Sequence, residues 1–398
     1  MGRAILTVNA GSSSLKFSLF RVAETELALA SHGAIEGIGG AARFTARDPG
    51  GAELASQSWD QPQSFEFLLS TLLDWVESHL VPDRLVAVGH RVVYGLPHHD
   101  GPERVTPALL AALAKLTPLA PLHVPHNLAP IHQIAASHPE IVQVACFDTA
   151  FHHGMPPVAT RFALPPEFAA AGVRRYGFHG LSYEFISRQL RVLAPAISRG
   201  RVIACHLGSG ASLCALRNGR SIDTTMGFTA LDGLVMGTRS GNLDPGVVLY
   251  MMQSLGMNAG DIENTLYRRS GLLGASGGLS ADMRDLLASE DPRAAGAIEL
   301  FVYRIVREIG ALVAVLGGLD GIVFSAGIGE RSPEIRQRVC AGLGWLGVSL
   351  DPEANRAAHD MISTPDSRVA VMVVPTDEEA MIARHSWTVV EPAELAHA

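Results

Sequence analysis

Ala4-Ile5-Leu6-Thr7-Val8-Asn9-Ala10-Gly11-Ser12-Ser13-Ser14-Leu15-Lys16-Phe17 runs from a short apolar segment into small hydroxyl-bearing residues and returns to an apolar run. That pattern predicts a strand, a tight tip and a second strand. The tip offers backbone N–H groups, hydroxyls and one ammonium, the donor set suited to an anion such as phosphate. It is not a P-loop, because Gly-x-x-x-x-Gly-Lys-Ser/Thr is absent and the chain returns as a strand instead of opening a helix. Arg201 to His206, then Leu207-Gly208-Ser209-Gly210-Ala211-Ser212, then Leu213 to Leu216 repeats the shape about 200 residues later. A third small-residue tip, Ala326-Gly327-Ile328-Gly329-Glu330, follows the apolar run Gly321 to Ser325. One such tip is usually only a turn. Two alike in the two halves of a chain point to a duplicated nucleotide-binding architecture.

The bulk properties agree. At 398 residues the chain exceeds what one core fills, so two domains are expected. A net charge of −8 gives no general attraction to nucleic acid or to an anionic membrane. Low aromatic content, 6% against 47% hydrophobic residues, suits an α/β enzyme rich in Ala, Val, Leu and Gly. Cys146, Cys205, Cys214 and Cys340 lack metal-site spacing and read as core residues of a reduced, cytoplasmic protein. Neither an export signal nor a membrane span is expected, since Asn9 interrupts the first apolar stretch and Ile309 to Leu319 is shorter than the roughly 20 residues a span needs.

The hydrophobic patterning predicts strands at 4–9 and 15–21 followed by a glycine-rich stretch, further strands at 85–88 and 141–147, helices near 64–80 and 107–116, and a proline-studded loop at 118–130. These make up a first domain, residues 1–150. A second domain, 151–379, is predicted to hold strands at 201–206, 212–217, 321–325 and 369–374 and helices near 244–254, 293–316 and 332–343. A helical segment from about 380 to 398 is expected to cross back and complete the first domain.

Charged and titratable groups punctuate these elements. Arg91 ends a strand, and Arg239 lies in the loop Met236-Gly237-Thr238-Arg239-Ser240-Gly241, where neighbouring glycines let a ligand approach. His179 follows Gly177-Phe178 and precedes Gly180, placing an imidazole at a turn where it can donate to an anion. Asp148 and the run Thr376-Asp377-Glu378-Glu379 sit just beyond strand ends, where α/β proteins bind ligands. These acids can hold Mg²⁺ directly or through water. Alternatively, Thr376 to Glu379 forms a capping box.

Taken together, these motifs resemble the acetokinase family almost from end to end. They are Asn9 to Phe17, Gly89-His90-Arg91-Val92-Val93, Phe147-Asp148-Thr149-Ala150-Phe151-His152, Arg174 to Gly180, His206-Leu207-Gly208, Asp223 to Thr229, Met236 to Gly241, Phe324 to Glu330 and Thr376 to Glu379. The resemblance implies a duplicated ribonuclease-H-like fold of the actin-like ATPase superfamily, with two domains flanking a nucleotide cleft. It implies direct in-line transfer of the ATP γ-phosphoryl to acetate, yielding acetyl phosphate and ADP, in a Mg²⁺-dependent (or Mn²⁺-dependent) homodimer. An ionised carboxylate needs no general base, so catalysis would rest on alignment and charge neutralisation.

The resemblance also assigns roles. Arg91 would hold the acyl carboxylate, Arg239 and His179 would stabilise the transferring phosphoryl, and Asp148 would orient the arginines or the attacking carboxylate. Asn9 and Glu378 would place Mg²⁺. Val93, Leu122, Phe178 and Ala230 would line the acyl pocket, with His123 a lesser candidate. Ser12, Ser14 and Lys16 would line the phosphate path, His206, Gly208, Ser209 and Gly210 would support the phosphates, and Asp282, Met283, Arg284, Gly327, Ile328, Gly329 and Glu330 would receive the nucleotide.

Four departures from the family pattern stand out, one of them Leu122-His123-Val124-Pro125 in place of Leu-His-Asn-Pro. Ser209 replaces an asparagine, Ala230 replaces a proline against the substrate methyl, and His-Gly-Thr-Ser-His becomes His179-Gly180-Leu181-Ser182-Tyr183. A pocket wider by one wall separates acetate from propionate by only about 1–3 kcal/mol, so propionate is an expected second substrate. A propionate or butyrate kinase of the same family, and a chaperone-like ATPase of the same superfamily, are the alternatives.

Overall fold

The structure, a computed structural model, describes residues 2–23, 26–95, 99–117 and 123–395. Contacts divide them into two units. Unit one joins the residues up to Ala150 with those from Asp377 onward, and unit two runs from Phe151 to Thr376.

Unit one is built on a mixed sheet of β1 (Arg3–Ala10), β2 (Ser14–Ala23), β3 (Glu26–Glu36), β4 (Arg43–Arg47), β5 (Glu53–Ser58), β6 (Arg84–Val92), β7 (Glu103–Arg104) and β8 (Val142–Phe147). Their order is β5-β4-β3-β2-β1-β6-β8-β7. β1 pairs antiparallel with β2 and parallel with β6, and β6 pairs parallel with β8. Unit two carries β9 (Arg201–Leu207), β10 (Ala211–Arg217), β11 (Arg220–Thr224), β12 (Gly321–Ser325) and β13 (Ala370–Val373), in the order β11-β10-β9-β12-β13. β9 pairs antiparallel with β10 and parallel with β12, and β12 pairs parallel with β13. With β4, β5 and β7 set aside, the run β3-β2-β1-β6-β8 of unit one matches β11-β10-β9-β12-β13 of unit two strand for strand, antiparallel across the first two pairings and parallel across the last two. The same topology recurs, as the two similar tips predict.

Both faces of the first sheet are covered. The helix Phe65–Leu80, capped by the Ser64 side chain, buries Leu68, Leu69, Leu72, Val76 and Leu80 against Leu6, Val8 and Phe17. On the opposite face Ile5 and Phe20 meet Ala383, Trp387 and Val390 of the helix Glu378–Leu395. Each such aliphatic side chain contributes about 1.5–3 kcal/mol on burial. A Cβ on Gly89 would run into Ser386 and Ile382, so this helix lies against β6 only because residue 89 lacks a side chain. In unit two the helix Gly180–Leu193 packs Tyr183, Ile186 and Leu190 on Val202, Ala204, Cys214 and Val323.

Four expectations need correction. Residues 26–58 hold three strands where patterning suggested only a glycine-rich stretch. Their alternation is diluted by Ala, Ser and Gly, and pairing with β2 organises them. The proline-studded loop gives way to the helix Val124–Ser137 from residue 124 on. Pro125 occupies its first turn, where a missing N–H costs nothing, and Val124, Leu128, Ile131 and Ile134 form its buried stripe despite Pro130. The tip after β12 is not a hairpin, because the helix Ala326–Arg331 starts immediately. Finally, Thr376 does not cap the last helix. Asp377 Oδ1 accepts from Ala380 N at 2.8 Å, while the Thr376 hydroxyl donates to Ser182 Oγ. No described helix is long and apolar enough to cross a membrane.

Two histidines are buried neutral, one in each unit. Burial pushes His90 down to about 4 although Gln143 bonds its Nε2, and pushes His152 down to about 4 although it bonds the Phe178 carbonyl. A depressed value favours the neutral form in the fold, so this stabilisation is complete above about 6.5 and is lost as pH falls through about 4. Denaturant titrations at pH 7.5 and pH 5 should differ by on the order of 1–2 kcal/mol per histidine. His152→Asn should flatten the dependence of unit two, and a pH-independent midpoint in the native chain would contradict this.

Candidate active site

In unit one, four expected residues converge at the C-terminal ends of β1, β6 and β8. Arg91, two residues beyond Gly89, presents its fork to Asp148. Its Nε lies 3.1 Å from both carboxylate oxygens and its Nη2 lies 2.6 Å from Oδ2. Nη1 points to Asn9 Oδ1 at 3.4 Å, and the Glu378 carboxylate stands 3.8 Å from Nε. Lys16 is the cross-strand neighbour of Asn9, and the backbone of Ser14 closes the turn by accepting from Gly11 N at 2.8 Å. Ser12 lies between them on the exposed tip.

Asp148 is fully buried and Arg91 and Glu378 are mostly buried, which strengthens the electrostatics among the three. Burial works against the charge on Arg91, but Asp148 and Glu378 outweigh it and hold the guanidinium above its ordinary value. Burial pushes Glu378 up to about 7 even though Arg91 pulls it down. One guanidinium thus faces two carboxylates, a cluster short of positive charge.

Asn127 is a residue that motif reading passed over. It is buried, its Oδ1 accepts from Val93 N at 2.9 Å and its Nδ2 donates to the Ala10 carbonyl at 3.1 Å. It therefore ties the end of the first tip to the turn after Arg91. The signal was present as a polar residue within the apolar stripe Val124, Leu128, Ile131, hidden by the loop assignment. Val93 is buried beside this turn, His123 is the N-cap of the same helix, and Leu122 lies outside the described residues.

In unit two the second tip gathers the remaining groups. A Cβ on Gly210 would stand 2.6 Å from Arg239 Nη2 and 3.3 Å from His179 Nε2. Those two polar ends therefore meet over a bare backbone. Arg239 Nη1 donates to the Ala230 carbonyl at 2.6 Å, which anchors its fork. His179 takes the left-handed conformation, φ 58°, a strained position of the kind found at functional sites. Its ring stacks on His206, centroids 4.1 Å apart. Phe178, the preceding residue, is buried.

The neighbouring loops close on the same tip. Gly237 N donates to the Ser209 carbonyl at 3.0 Å, and Gly208 N to the Gly210 carbonyl at 3.0 Å. A Cβ on Gly208 would lie 3.7 Å from Ala326 Cβ, bringing the start of the helix Ala326–Arg331 alongside, with Gly327, Ile328 and Gly329 in its turns. Glu330 behaves differently from expectation, since its Oε1 binds Ala326 N and Thr376 N and so braces two backbone segments. Asp282 and Arg284 form an exposed ion pair 2.6 Å apart, and buried Met283 between them leaves little side chain for a ligand.

A model described as the acetokinase family matches residues 4–384. The chain belongs to the acetokinase family. It is 53% identical over 392 residues to an acetate kinase of Rhodopseudomonas palustris (strain TIE-1), covering 97% of this chain and 98% of that relative. Among solved structures it resembles a propionate kinase from Francisella tularensis subsp. tularensis SCHU S4, with TM-score 0.91 and 34% identity over 97% of this chain and 100% of that one. An acetate kinase from Porphyromonas gingivalis gives 0.85 and 35% identity over 98% and 100%. The protein is thus a nucleotide-dependent kinase whose acceptor is a carboxylate, and its duplicated α/β architecture is that of the acetokinase fold.

Proposed function

We propose that the protein catalyses the reversible transfer of the ATP γ-phosphoryl to acetate, and with lower preference to propionate. A carboxylate oxygen of the acid attacks the γ-phosphorus, the bond to the β,γ-bridging oxygen breaks, and ADP departs with the electron pair. No proton need be removed from the acceptor, so no general base is required. What the chemistry demands is alignment and neutralisation of the phosphoryl oxygens. The observation carrying this reading is the meeting of Arg239 and His179 over Gly210, two donors set against an amide-rich turn.

Roles are assigned accordingly. Arg91, its fork held by Asp148, takes the acyl carboxylate through its remaining donors. Val93, Phe178 and Ala230 supply apolar wall for the methyl group. Ser12, Ser14, Lys16, His206 and residues 208–210 contact the phosphates, with Asp282, Arg284 and the turn 327–329 toward the nucleoside.

The residues of unit one suit Mg²⁺, or Mn²⁺ in its place. Mg²⁺ keeps several waters and takes one or two protein oxygens beside the nucleotide phosphates. Asn9 Oδ1 and the Glu378 carboxylate, both on the charge-deficient Arg91 cluster, would hold it. The ion would supply neutralisation of the phosphate charge. Four buried free cysteines favour a reducing compartment, the cytoplasm. The net negative charge favours small anionic substrates complexed with cations over nucleic acid or membrane as partners.

A homodimer is proposed on the helix Pro245–Gln253, which buries no residue and, with the turn after it, exposes Leu249, Tyr250, Met252 and Leu255 to about half their area. A second copy is the partner suited to such a face. Sedimentation equilibrium should give twice the 42.2 kDa chain mass, reduced to one chain by Tyr250→Asp with Met252→Asp. A monomeric native protein at micromolar concentration contradicts the assignment.

Hydroxamate trapping of acyl phosphate with ATP-Mg and acetate or propionate tests the reaction. Acetate should give product, propionate should remain within about 10³-fold of it, and Arg239→Ala should lose on the order of 10³-fold. ATP hydrolysis without acyl phosphate would contradict the proposed reaction, and preference for propionate would contradict the acceptor ranking.

A further inference from the structure

Behind His179 lies a chain of buried hydroxyls. Its Nδ1 is 2.8 Å from Ser212 Oγ, which is 2.5 Å from the Tyr183 hydroxyl. Ser212 and Tyr183 are wholly buried. The donors can be counted. Among the described residues Ser212 Oγ is the hydrogen-bond partner of the buried Tyr183 hydroxyl, and a phenol is the stronger donor of the two, so the Tyr183 proton is directed to Ser212. Ser212 then accepts from Tyr183 and has one proton left, which it donates to His179 Nδ1. An Nδ1 that accepts leaves the imidazole proton on Nε2, the atom that faces Gly210 and Arg239.

The stacked partner is arranged in the same way. Thr376 Oγ1 donates to Ser182 Oγ at 2.8 Å, and Ser182 Oγ lies 2.8 Å from His206 Nδ1. Two parallel imidazoles 4.1 Å apart thus have similar hydroxyl pairs behind them. In both rings the Nδ1 edge meets a buried hydroxyl, and the Nε2 edge is left to face the turn at Gly208 and Gly210.

We propose that Tyr183 and Ser212 are positioning residues that hold His179 as its Nε2–H tautomer, aimed at the phosphoryl group. This rests on the phosphoryl-stabilising role proposed for His179. Tyr183 stands where the family pattern has histidine, so the phenol supplies the hydroxyl chain in this protein. Without the phenol Ser212 can accept from Nδ1–H as readily as it donates to Nδ1, so the Nε2–H tautomer is no longer imposed and the imidazole proton spreads to Nδ1. The ring stays in place while its donor is partly lost.

The test is the imidazole ¹⁵N–¹H spectrum of the full-length, ¹⁵N-histidine-labelled protein, with the His179 signals identified by His179→Asn. Wild type should show His179 as Nε2–H. Tyr183→Phe and Ser212→Ala should shift it toward Nδ1–H, with kcat down about 10- to 100-fold and the KM for acetate unchanged. Ser212→Thr, which retains the hydroxyl, should restore both. An Nδ1–H tautomer in wild type, or a Tyr183→Phe protein with unchanged tautomer and kcat, overturns the proposal. Loss of the proposed acyl-phosphate chemistry would be seen in the wild-type assay alone, whereas the tautomer is read without turnover.

Discussion

The absence of a side chain at residue 210 is the constraint on which the unit-two site depends. Arg239 and His179 come from separate loops, and each is held from behind, the arginine by the Ala230 carbonyl and the histidine by Ser212. Their polar ends can approach the turn only because a Cβ is missing there. The turn itself is drawn tight by the Gly208-to-Gly210 bond and tied to the arginine loop by Gly237 and Ser209. Small residues here permit a close approach of charge to backbone, which is what a phosphoryl group requires.

Unit one solves a different problem, the holding of a guanidinium in a buried place. Arg91 meets Asp148 through its fork, and Glu378 stands farther off at 3.8 Å. A buried ion pair gives little net stability, since desolvation offsets the attraction. The benefit is orientation, because a fork fixed on one carboxylate points its remaining donors in one direction. Gly89 makes the arrangement possible by letting the helix Glu378–Leu395 lie against β6, which brings Glu378 to the end of Arg91's strand.

Much of this was legible in the chain, for physical reasons. Strands buried on both faces appear as continuous apolar runs, and β1, β9 and β12 were visible as such. The hydroxyl-rich turns after β1 and β9 marked the duplication because Gly and Ser there are required by close approach. Strands β3 to β5 were not visible, since their pairing is a tertiary effect on a weak local pattern. The helix Val124–Ser137 was obscured by prolines that its first turn and packing tolerate, and Asn127 was hidden with it. Thr376 and Glu330 matched local capping or binding patterns, yet their side chains make longer-range bonds to Ser182 and to the backbone of residues 326 and 376. No spacing rule reveals such partners.

The most direct measurement is single-turnover acyl-phosphate formation by Gly210→Ala, with the unfolding midpoint measured in parallel. Gly210 has an ordinary backbone conformation, so alanine is permitted there except for its collision with Arg239 and His179. The account predicts a folded protein with a midpoint close to wild type and a transfer rate lower by on the order of 10³-fold. A Gly210→Ala enzyme that keeps its rate within about 10-fold of wild type would contradict the claim that these two side chains act over that bare turn.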